Sequence, residues 1–363
     1  MAAMPRVPPA RIARAGEAAR DQVQRLHRRM APAPVALLEM IWGSMVTQAL
    51  YVAAKLGIAD LLADGPLTPE EIARRVNASS DGVFRLLRAL ASRGVFTARP
   101  DGRYELTPLA EPLRSDAPVS MRSVALLWGS PEAWEHWGHL LDSVRTDEPA
   151  VPAIRGMDLW AYLGTNPGFA AEFNSAMTTF SNLVKAPVLA AYDFSPFSTI
   201  VDVGAGHGAM LAAILQRTPA ARGVLFDQPS VTTGAADVLR AHGVERRCTI
   251  ESGSFFDGVP PGGDAYVLKN IIHDWEESKA LAILRNIREV IQPDGRLLLI
   301  EMVLPEGNSG HMGNVFDLEM LLDLGSRERT EHEYQQLLSK AGFELTRVVQ
   351  TASPACVVES KPT

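Results

Sequence analysis

The stretch that decides the fold is VDVGAGHG, residues 201–208. It begins as an apolar run, typical of a buried strand, and passes directly into a turn that contains three glycines. Glycine has no Cβ, so these positions let the backbone turn tightly and approach a ligand closely. A helical pattern follows at residues 210–216. A strand, a glycine-rich turn and a helix in this order predict the first unit of a nucleotide-binding α/β domain.

More strand-like runs alternate with helical patterns outward from this turn. The strand-like runs lie at residues 199–203, 223–226, 248–252, 265–269 and 296–302, and a second helical pattern covers 277–291. Repeated strand–helix units make neighbouring strands parallel and cover both faces of the sheet with helices. The sequence therefore predicts an α/β fold with a doubly wound, Rossmann-like domain.

An acidic residue, Asp227, ends the second of these strands. A carboxylate at this point is placed to accept hydrogen bonds from ribose hydroxyls. A simple turn is also compatible with the residue, because Gln228-Pro229 follows it. Together with the glycine turn, Asp227 indicates an adenosine-containing cofactor, but these two features do not separate a methyl donor from NAD.

A different domain is indicated nearer the N-terminus. Thr68-Pro69-Glu70-Glu71 has the pattern of a capping box at a helix start. A second short helical segment stops at Gly94, and Asp101-Gly102 lies between two β-prone runs, which predicts a hairpin. Helix, helix and hairpin in this order predict a winged helix.

The winged helix has two interpretations, DNA binding and dimerisation. Arg85 and Arg88 on its second helix would suit DNA, but they equally suit a solvated face. The chain carries a net charge of −7 and therefore lacks the overall basic character that nucleic acid requires. We expect a structural module and no nucleic acid partner.

Apolar residues recur every three or four positions from Leu38 to Leu56, which predicts one helix with an apolar face. Polar residues interrupt this stretch, among them Glu39, Gln48 and Lys55, so we expect no membrane span. An apolar face on a small domain needs a covering surface, which predicts a homodimer.

Two further regions complete the chain. The first 35 residues are rich in Arg, Ala and Pro without the apolar run of a signal peptide, so we expect a mobile arm. Cys248 and Cys356 stand far apart, which favours a reducing, cytoplasmic location. His136 and His139 have a spacing that suits metal ligands, but no third ligand accompanies them, and we predict no metal site.

The segment VLKNIIHDW, residues 267–275, follows the fourth strand, where ligands of open α/β sheets bind. With LFDQPSV, SGSFFDGVP, LLLIEMVLP and SRERT, it makes the chain resemble the S-adenosylmethionine-dependent small-molecule O-methyltransferases. That family includes plant caffeate and flavonoid, hydroxyindole and bacterial secondary-metabolite enzymes. The resemblance covers nearly all of the chain after residue 35.

The resemblance implies a role for individual residues. His273 corresponds to the general base, and Glu301 and Glu328 correspond to the acids that hold and polarise its imidazole. The implied cofactor contacts are Gly204, Asp227, Ser254, Phe255, Lys269 and Trp275, and the implied substrate contacts are Phe173, Asn174, Met177, Phe180, Asp274 and Met320. Ser254 is a departure, because the family usually has Asp there, and a hydroxyl carries no charge.

The predicted reaction is methyl transfer from S-adenosylmethionine to a hydroxyl of a small aromatic or polyketide-like metabolite. Two alternatives stay open: an enzyme of the same fold that methylates nitrogen or carbon or uses the sulfonium otherwise, and a DNA-binding regulator. The predicted domains are an arm (1–35), a winged-helix dimerisation domain (36–115), a helical linking and substrate-pocket region (116–195) and the methyltransferase domain (196–363).

Overall fold

A computed structural model describes residues 7–307 and 309–363 of the chain. The helices are α1 (Ala10–Met30), α2 (Ala33–Ile41), α3 (Gly43–Lys55), α4 (Ile58–Leu61), α5 (Pro69–Val76), α6 (Ser80–Ala91), α7 (Arg122–Trp128), α8 (Pro131–Gly138), α9 (Leu140–Thr146), α10 (Ala150–Arg155), α11 (Leu159–Thr165), α12 (Pro167–Ala191), α13 (Ala209–Arg217), α14 (Pro229–Thr232), α15 (Ala235–Ala241), α16 (Glu277–Val290), α17 (Gly313–Leu324) and α18 (Glu331–Lys340). The strands are β1 (Phe96–Ala98), β2 (Tyr104–Leu106), β3 (Thr199–Val203), β4 (Arg222–Asp227), β5 (Cys248–Ser252), β6 (Ala265–Lys269), β7 (Arg296–Leu304), β8 (Arg329–Thr330), β9 (Phe343–Gln350) and β10 (Ala355–Pro362).

The described residues form two compact units. One contains residues 7–22, 142–153 and 183–363, and the other contains residues 23–141 and 154–182. Residues 116–195, predicted as a single linking region, are thus divided between the two units. The predicted domain boundaries themselves stay a prediction.

The larger unit is built on one twisted sheet with strand order β5-β4-β3-β6-β7-β10-β9, and β8 pairs with β7. Strands β3 to β7 are parallel, as the alternation of strands and helices predicts. Buried side chains cover both faces, with Leu211 and Ile214 of α13 in one apolar cluster and Ile283 and Leu284 of α16 in the other. The doubly wound α/β prediction is confirmed.

The sheet also contains three strands that the sequence does not predict, β8, β9 and β10. β10 runs antiparallel to both β7 and β9, so the sheet is mixed rather than wholly parallel. Because the five parallel strands share one direction, their carboxyl ends meet at one edge of the sheet. The glycine turn, Asp227 and His273 all follow strands that end at this edge.

The smaller unit contains the predicted winged helix. The Thr68 hydroxyl accepts a hydrogen bond from the N–H of Glu71 (3.2 Å), and the Glu71 carboxylate accepts one from the N–H of Thr68 (2.8 Å). This confirms the capping box at the start of α5. β1 and β2 pair antiparallel, with Gly102 in the left-handed conformation in the turn between them (φ 80°). The hairpin prediction is therefore confirmed as well.

The single helix predicted from Leu38 to Leu56 is wrong in one respect, because α2 and α3 are separated at Trp42. The Ser44 hydroxyl donates to the carbonyl of Ile41 (3.1 Å), while the N–H of Met45 turns to the carbonyl of Trp42 (3.1 Å). A side-chain hydroxyl thus competes with the regular helical ladder. By length and composition alone, Ala33–Lys55 would suffice to cross a membrane, and 6% of its most apolar 18-residue window is buried.

The N-terminal arm is more ordered than the composition suggests. Residues 1–6 lie outside the described part of the chain, but residues 10–30 form α1. Ala and Arg have high helix propensity, which local polarity does not reveal. Arg14 on this helix donates a hydrogen bond to the side chain of Gln350 in β9.

Candidate active site

The turn after β3 is built so that glycine is required at several positions. Gly204, Gly206 and Gly208 have φ angles of 71°, 59° and 80°, which side chains with a Cβ adopt at a cost. A Cβ on Gly204 would lie 2.5 Å from Cδ1 of Ile271, so the turn packs directly against the segment that precedes His273. The close approach of this turn to a ligand stays a prediction.

Asp227 lies at the end of β4 and is fixed by the backbone around it. One carboxylate oxygen accepts a hydrogen bond from the N–H of Gly206 (2.7 Å), and the other accepts one from the N–H of Gln228 (2.7 Å). Burial raises the pKa of Asp227, while these two hydrogen bonds oppose the rise. Each oxygen keeps a further lone pair, so the carboxylate is able to accept hydroxyl groups of a ligand.

Two residues of opposite charge, Asp202 and Lys269, lie on the neighbouring strands β3 and β6. Lys269 ends β6, and burial lowers the pKa of its ammonium group against the opposing effect of Asp202. Asp202 of β3 is 2% exposed, and burial raises its pKa to about 7. Its Oδ2 atom has no hydrogen-bond partner among the described residues, which marks a place for a polar ligand group or water. The sequence analysis did not select Asp202, although an acidic residue inside a buried strand was a usable signal.

Three aromatic rings, those of Phe255, Phe256 and Trp275, pack against one another after the ends of β5 and β6 and form an aromatic wall. The ring centre of Trp275 lies 5.9 Å from that of Phe255 and 4.9 Å from that of Phe256, both in edge-on contact. The hydroxyl of Ser254 accepts a hydrogen bond from the N–H of Phe256 (3.2 Å) and so shapes the turn that carries both phenylalanines. Phe256 is a second residue that the sequence analysis did not name.

These residues fit an adenosine-containing cofactor with a charged amino-acid end. The carboxylate of Asp227 suits ribose hydroxyls, the aromatic wall suits a flat base, and Lys269 with Asp202 suits a carboxylate and an ammonium group. The unpartnered oxygen of Asp202 supports this assignment directly.

His273 occupies a 3-10 turn, Ile272–Asp274, and is 5% exposed. Its Nδ1 atom lies 2.7 Å from Oε1 of Glu328 and 3.9 Å from Oε2 of Glu301. Its Nε2 atom lies 3.2 Å from a carboxylate oxygen of Asp274. The imidazole is thus held on one side by Glu328 and faces an acid on the other.

The electrostatics of this cluster favour a protonated imidazole. Burial alone lowers the pKa of His273, but the charges of Glu301, Glu328 and Asp274 outweigh it and raise the pKa to about 10. For the neighbouring acids, burial has the opposite effect: it raises the pKa of Glu301 to about 7 and that of Asp274 to about 6. In a cluster this close the protons are shared, so the residues titrate as a group.

Glu301 and Glu328 have different contacts. Oε1 of Glu301 accepts hydrogen bonds from the backbone N–H groups of Ile271 (3.0 Å) and Ile272 (2.9 Å). Glu301 therefore holds the backbone of the turn, whereas Glu328 holds the imidazole itself. Both carboxyl groups are buried.

Helix α17 belongs to the same unit as His273 and places apolar side chains near it. The ring of Phe316 lies 6.4 Å from the imidazole of His273, in a tilted arrangement. Met320, predicted as a substrate contact, lies one helical turn further and is buried. Phe316 was not predicted, because its position on the chain carries no chemical signal.

The other predicted substrate residues lie on α12 within the smaller unit. Phe173 packs edge-on against Trp160 (6.2 Å) and Phe180 against Trp128 (5.3 Å), while Met177 is partly buried. Asn174 is exposed. Over residues 7–307 and 309–363, no cluster of three or more His, Cys, Asp or Glu side chains suits a metal ion.

Two family profiles match the chain. One describes an O-methyltransferase dimerisation domain and covers residues 38–116, and the other describes an O-methyltransferase domain and covers residues 137–344. The two matches together span most of the sequence.

Individual proteins are similar over nearly the whole length. The phenazine O-methyltransferase PhzM of Lysobacter antibioticus is 45% identical over 91% of this chain and 97% of its own. The 8-amino-8-demethylriboflavin N,N-dimethyltransferase of Streptomyces davaonensis is 34% identical over 86% and 91%. A solved O-methyltransferase from neocarzinostatin biosynthesis, in complex with S-adenosylmethionine and 2-hydroxy-5-methyl naphthoic acid, aligns with a TM-score of 0.76 at 33% identity over 88% and 96%.

Proposed function

The chain belongs to the S-adenosylmethionine-dependent small-molecule O-methyltransferases, and we propose that His273 deprotonates a hydroxyl group of a small aromatic acceptor. The observation that carries the proposal is the short contact between Nδ1 of His273 and Glu328 (2.7 Å). An ionised carboxylate is an acceptor, so it keeps the Nδ1 proton in place. When the ring is neutral, the lone pair is then on Nε2 and is available to a hydroxyl proton.

S-adenosylmethionine supplies an activated methyl group on a positive sulfonium. This chain's contribution is to orient the acceptor oxygen and to remove its proton. Orientation alone accounts for a large share of the rate of such reactions. A phenol is mostly neutral near pH 7, and its anion is the better nucleophile, so a positioned imidazole adds about 10²–10⁴-fold.

Asp274 both contacts Nε2 of His273 and, in this scheme, aligns the acceptor oxygen. Its carboxylate lies 3.2 Å from Nε2, the nitrogen that has to accept the proton. We propose that the acceptor hydroxyl enters this contact and donates its single proton to Nε2, and that the protonated carboxyl of Asp274, whose pKa burial raises to about 6, donates a hydrogen bond to the hydroxyl oxygen. Asp274 then aligns the oxygen while Nε2 takes the proton.

The cofactor-holding residues follow from the site. We propose that Asp227 accepts the ribose hydroxyls, that the Gly204 turn contacts the methionine end and that Lys269 pairs with its carboxylate. Phe255 and Trp275 would provide the aromatic wall against which the adenine packs, and Ser254 would shape the turn beside it. Each of these assignments is supported by position at the carboxyl edge of the sheet.

The acceptor is proposed to be a flat aromatic hydroxy compound. The similar proteins act on a phenazine and bind a hydroxylated naphthoic acid, as their names and ligands state. On this chain we propose that Met320 of α17, in the same unit as His273, contacts it, while the contacts predicted for Phe173, Asn174, Met177 and Phe180 of α12 stay a prediction. Aromatic and thioether side chains suit a flat apolar ring.

A second candidate function is methylation of nitrogen. The observation in its favour is the similarity to the 8-amino-8-demethylriboflavin N,N-dimethyltransferase, which matches this chain over 91% of its own length. An amine acceptor is already nucleophilic and needs no base, so the buried His273–Glu328 pair favours the hydroxyl.

One assay separates these candidates. The protein is incubated with S-adenosylmethionine and matched pairs of hydroxy- and amino-phenazines and naphthoates, and the methylated products are identified by mass spectrometry. Methylation of the hydroxy compounds is expected. Transfer to the amino partners alone would replace the proposal with the nitrogen candidate.

We also propose that the chain is a cytoplasmic homodimer. It carries a dimerisation domain, and the apolar side chains of α2 and α3 are exposed, including Met45 at 62%. A second copy that covers this surface removes it from water. Met45→Glu is expected to give monomers by light scattering, whereas Leu109→Glu, at a similarly exposed position (60%) elsewhere, should leave the dimer intact. A monomeric wild-type protein at micromolar concentration would refute the dimer.

A further inference from the structure

We propose that Arg329 is a positioning residue for the base, whose guanidinium fixes both ends of the turn that carries His273. The proposal rests on the assignment of His273 as the base. Arg329 itself is not expected to contact the acceptor or the methyl donor.

Arg329 is almost wholly buried and bonds to the backbone on either side of the His273-Asp274 pair. The residue is 3% exposed and begins β8, which pairs with the end of β7. One of its terminal nitrogens donates to the carbonyl of Ile272 (3.1 Å), and the other donates to the carbonyl of Trp275 (3.4 Å). The two carbonyls bracket His273 and Asp274 in the chain.

Glu301 holds the same turn through its N–H groups, whereas Arg329 holds it through its carbonyl groups. Its carboxylate accepts the N–H groups of Ile271 and Ile272, so Ile272 is fixed through both its N–H and its carbonyl. Glu301 lies in β7, and Arg329 lies in β8, which pairs with β7 at Val303. Two buried opposite charges on neighbouring strands therefore frame the turn.

The sequence position of Arg329 adds a second link. Glu328, the residue before it, accepts the hydrogen bond from Nδ1 of His273. One dipeptide thus fixes the imidazole through Glu328 and the backbone that carries the imidazole through Arg329. A shift of this dipeptide would move both together.

Burial of a guanidinium is costly unless it is well hydrogen-bonded, and it seldom increases stability over an apolar side chain. A planar, forked donor is what two separate carbonyls require, and the single ammonium of lysine lacks that geometry. Arg329 is thus better explained by precise placement of Nε2 than by stability. Catalytic groups that move by roughly 1 Å lose about 10²-fold in rate.

The experiment compares Arg329→Lys and Arg329→Gln with a matched control, Arg247→Lys. Arg247 also donates to backbone carbonyls, those of Leu215, Ala221 and Thr218, but it lies beside β5 and away from His273. Circular dichroism and thermal unfolding establish which variants are folded. Arg329→Lys keeps the positive charge, so it still tests the proposal if Arg329→Gln does not fold.

The first readout is the imidazole of His273 in proton–carbon NMR spectra. With eight histidines in the chain, its signal is assigned by its absence in His273→Gln. Both Arg329 variants are expected to shift this signal and the pH at which it titrates, while Arg247→Lys leaves both unchanged. The second readout is turnover, for which we expect kcat about 10–100-fold lower with the KM for S-adenosylmethionine changed little.

A folded Arg329→Lys with the wild-type His273 signal and kcat would overturn the proposal. So would a loss of kcat without any change in the His273 signal, because Arg329 would then act through the fold alone. Failure of the base assignment is recognised separately, by normal turnover in His273→Gln. In that case a shifted NMR signal would still establish the positioning role.

Discussion

Oε1 of Glu328 lies 2.7 Å from Nδ1 of His273, although 55 positions of the chain separate the two residues. The other acid of the cluster, Glu301, lies 3.9 Å from the same nitrogen through Oε2, and its other oxygen, Oε1, accepts hydrogen bonds from two backbone N–H groups. The two acids that the family resemblance treats together therefore have separate tasks. One sets the tautomer of the ring, and the other sets the position of the turn.

The protonation of His273 is expected to depend on the methyl donor. Its pKa of about 10 lies above the ordinary value near 6.5, so we expect an imidazolium at pH 8 before the donor is added. A second positive charge in the same site disfavours that form and lowers the pKa. His273 should therefore release a proton when S-adenosylmethionine binds, and the ring then becomes a competent base.

Calorimetry in two buffers of different ionisation enthalpy measures this release. At pH 8 we expect a fractional proton released per site with S-adenosylmethionine and a smaller value with S-adenosylhomocysteine, whose sulfur is neutral. His273→Gln is the control and should release none. Equal release with both ligands would show that the donor's charge does not control the base.

Asp227 is expected to contribute directly to donor affinity. Asp227→Ala removes the ribose acceptor and also frees the N–H of Gly206, so donor binding should weaken by about 1–3 kcal/mol. Asp227→Asn is the milder variant, because its amide oxygen is still able to accept one of these bonds. Calorimetric titration with S-adenosylmethionine gives the dissociation constants, and an unchanged value for Asp227→Ala would remove the residue from the site.

Ser254 offers a test of the one departure from the family pattern. Its hydroxyl accepts a hydrogen bond from the N–H of Phe256, and an Asp carboxylate accepts the same bond in the same kind of turn. Ser254→Asp should therefore fold normally and bind S-adenosylmethionine at least as tightly as the wild type. Ser254→Ala is the matched control and should weaken the turn. Loss of donor binding in Ser254→Asp would mean that this loop differs from the family's.

The sequence predicts the frame of the site well, because its signals are local. Five parallel strands, the glycine turn and the residue after β4 follow from short patterns of apolar residues, glycines and acids. These patterns place Gly204, Asp227 and His273 at one edge of the sheet without any knowledge of distant contacts. The antiparallel strands β9 and β10 are missed, because they follow no strand–helix alternation.

The parts that escape prediction depend on contacts between distant positions. The sequence names Glu301 and Glu328 alike, and only packing of β7 against β8 decides which one meets the imidazole. Arg329 is an ordinary residue of a short strand until its neighbours are known, whereas Asp202 could have been selected as an acidic residue inside a buried strand. The side-chain hydroxyl of Ser44, which interrupts the predicted helix at Trp42, is equally invisible to a periodic pattern.

The separate tasks of the two acids give the last prediction, which concerns the mechanism. His273→Gln should lower turnover by about 10²–10⁴-fold, the usual worth of a positioned base, with donor affinity nearly intact. The residual rate should rise with pH toward the pKa of the acceptor phenol, since solvent then removes the proton.

Glu328→Gln keeps an acceptor for Nδ1 but loses the charge that stabilises the imidazolium. It should cost less than His273→Gln. Glu301→Gln keeps the two backbone hydrogen bonds through its amide oxygen and should cost least of the three. Because these residues act on one ring, Glu328→Gln combined with His273→Gln should be no slower than His273→Gln alone. Steady-state rates with an acceptor that the wild-type enzyme methylates are measured for all four variants across pH 6–10. This range covers about the interval between the ordinary and the raised pKa of histidine. A His273→Gln protein with the wild-type rate and pH profile, or a double variant whose losses add fully, would end the assignment of His273 as the base held by Glu328.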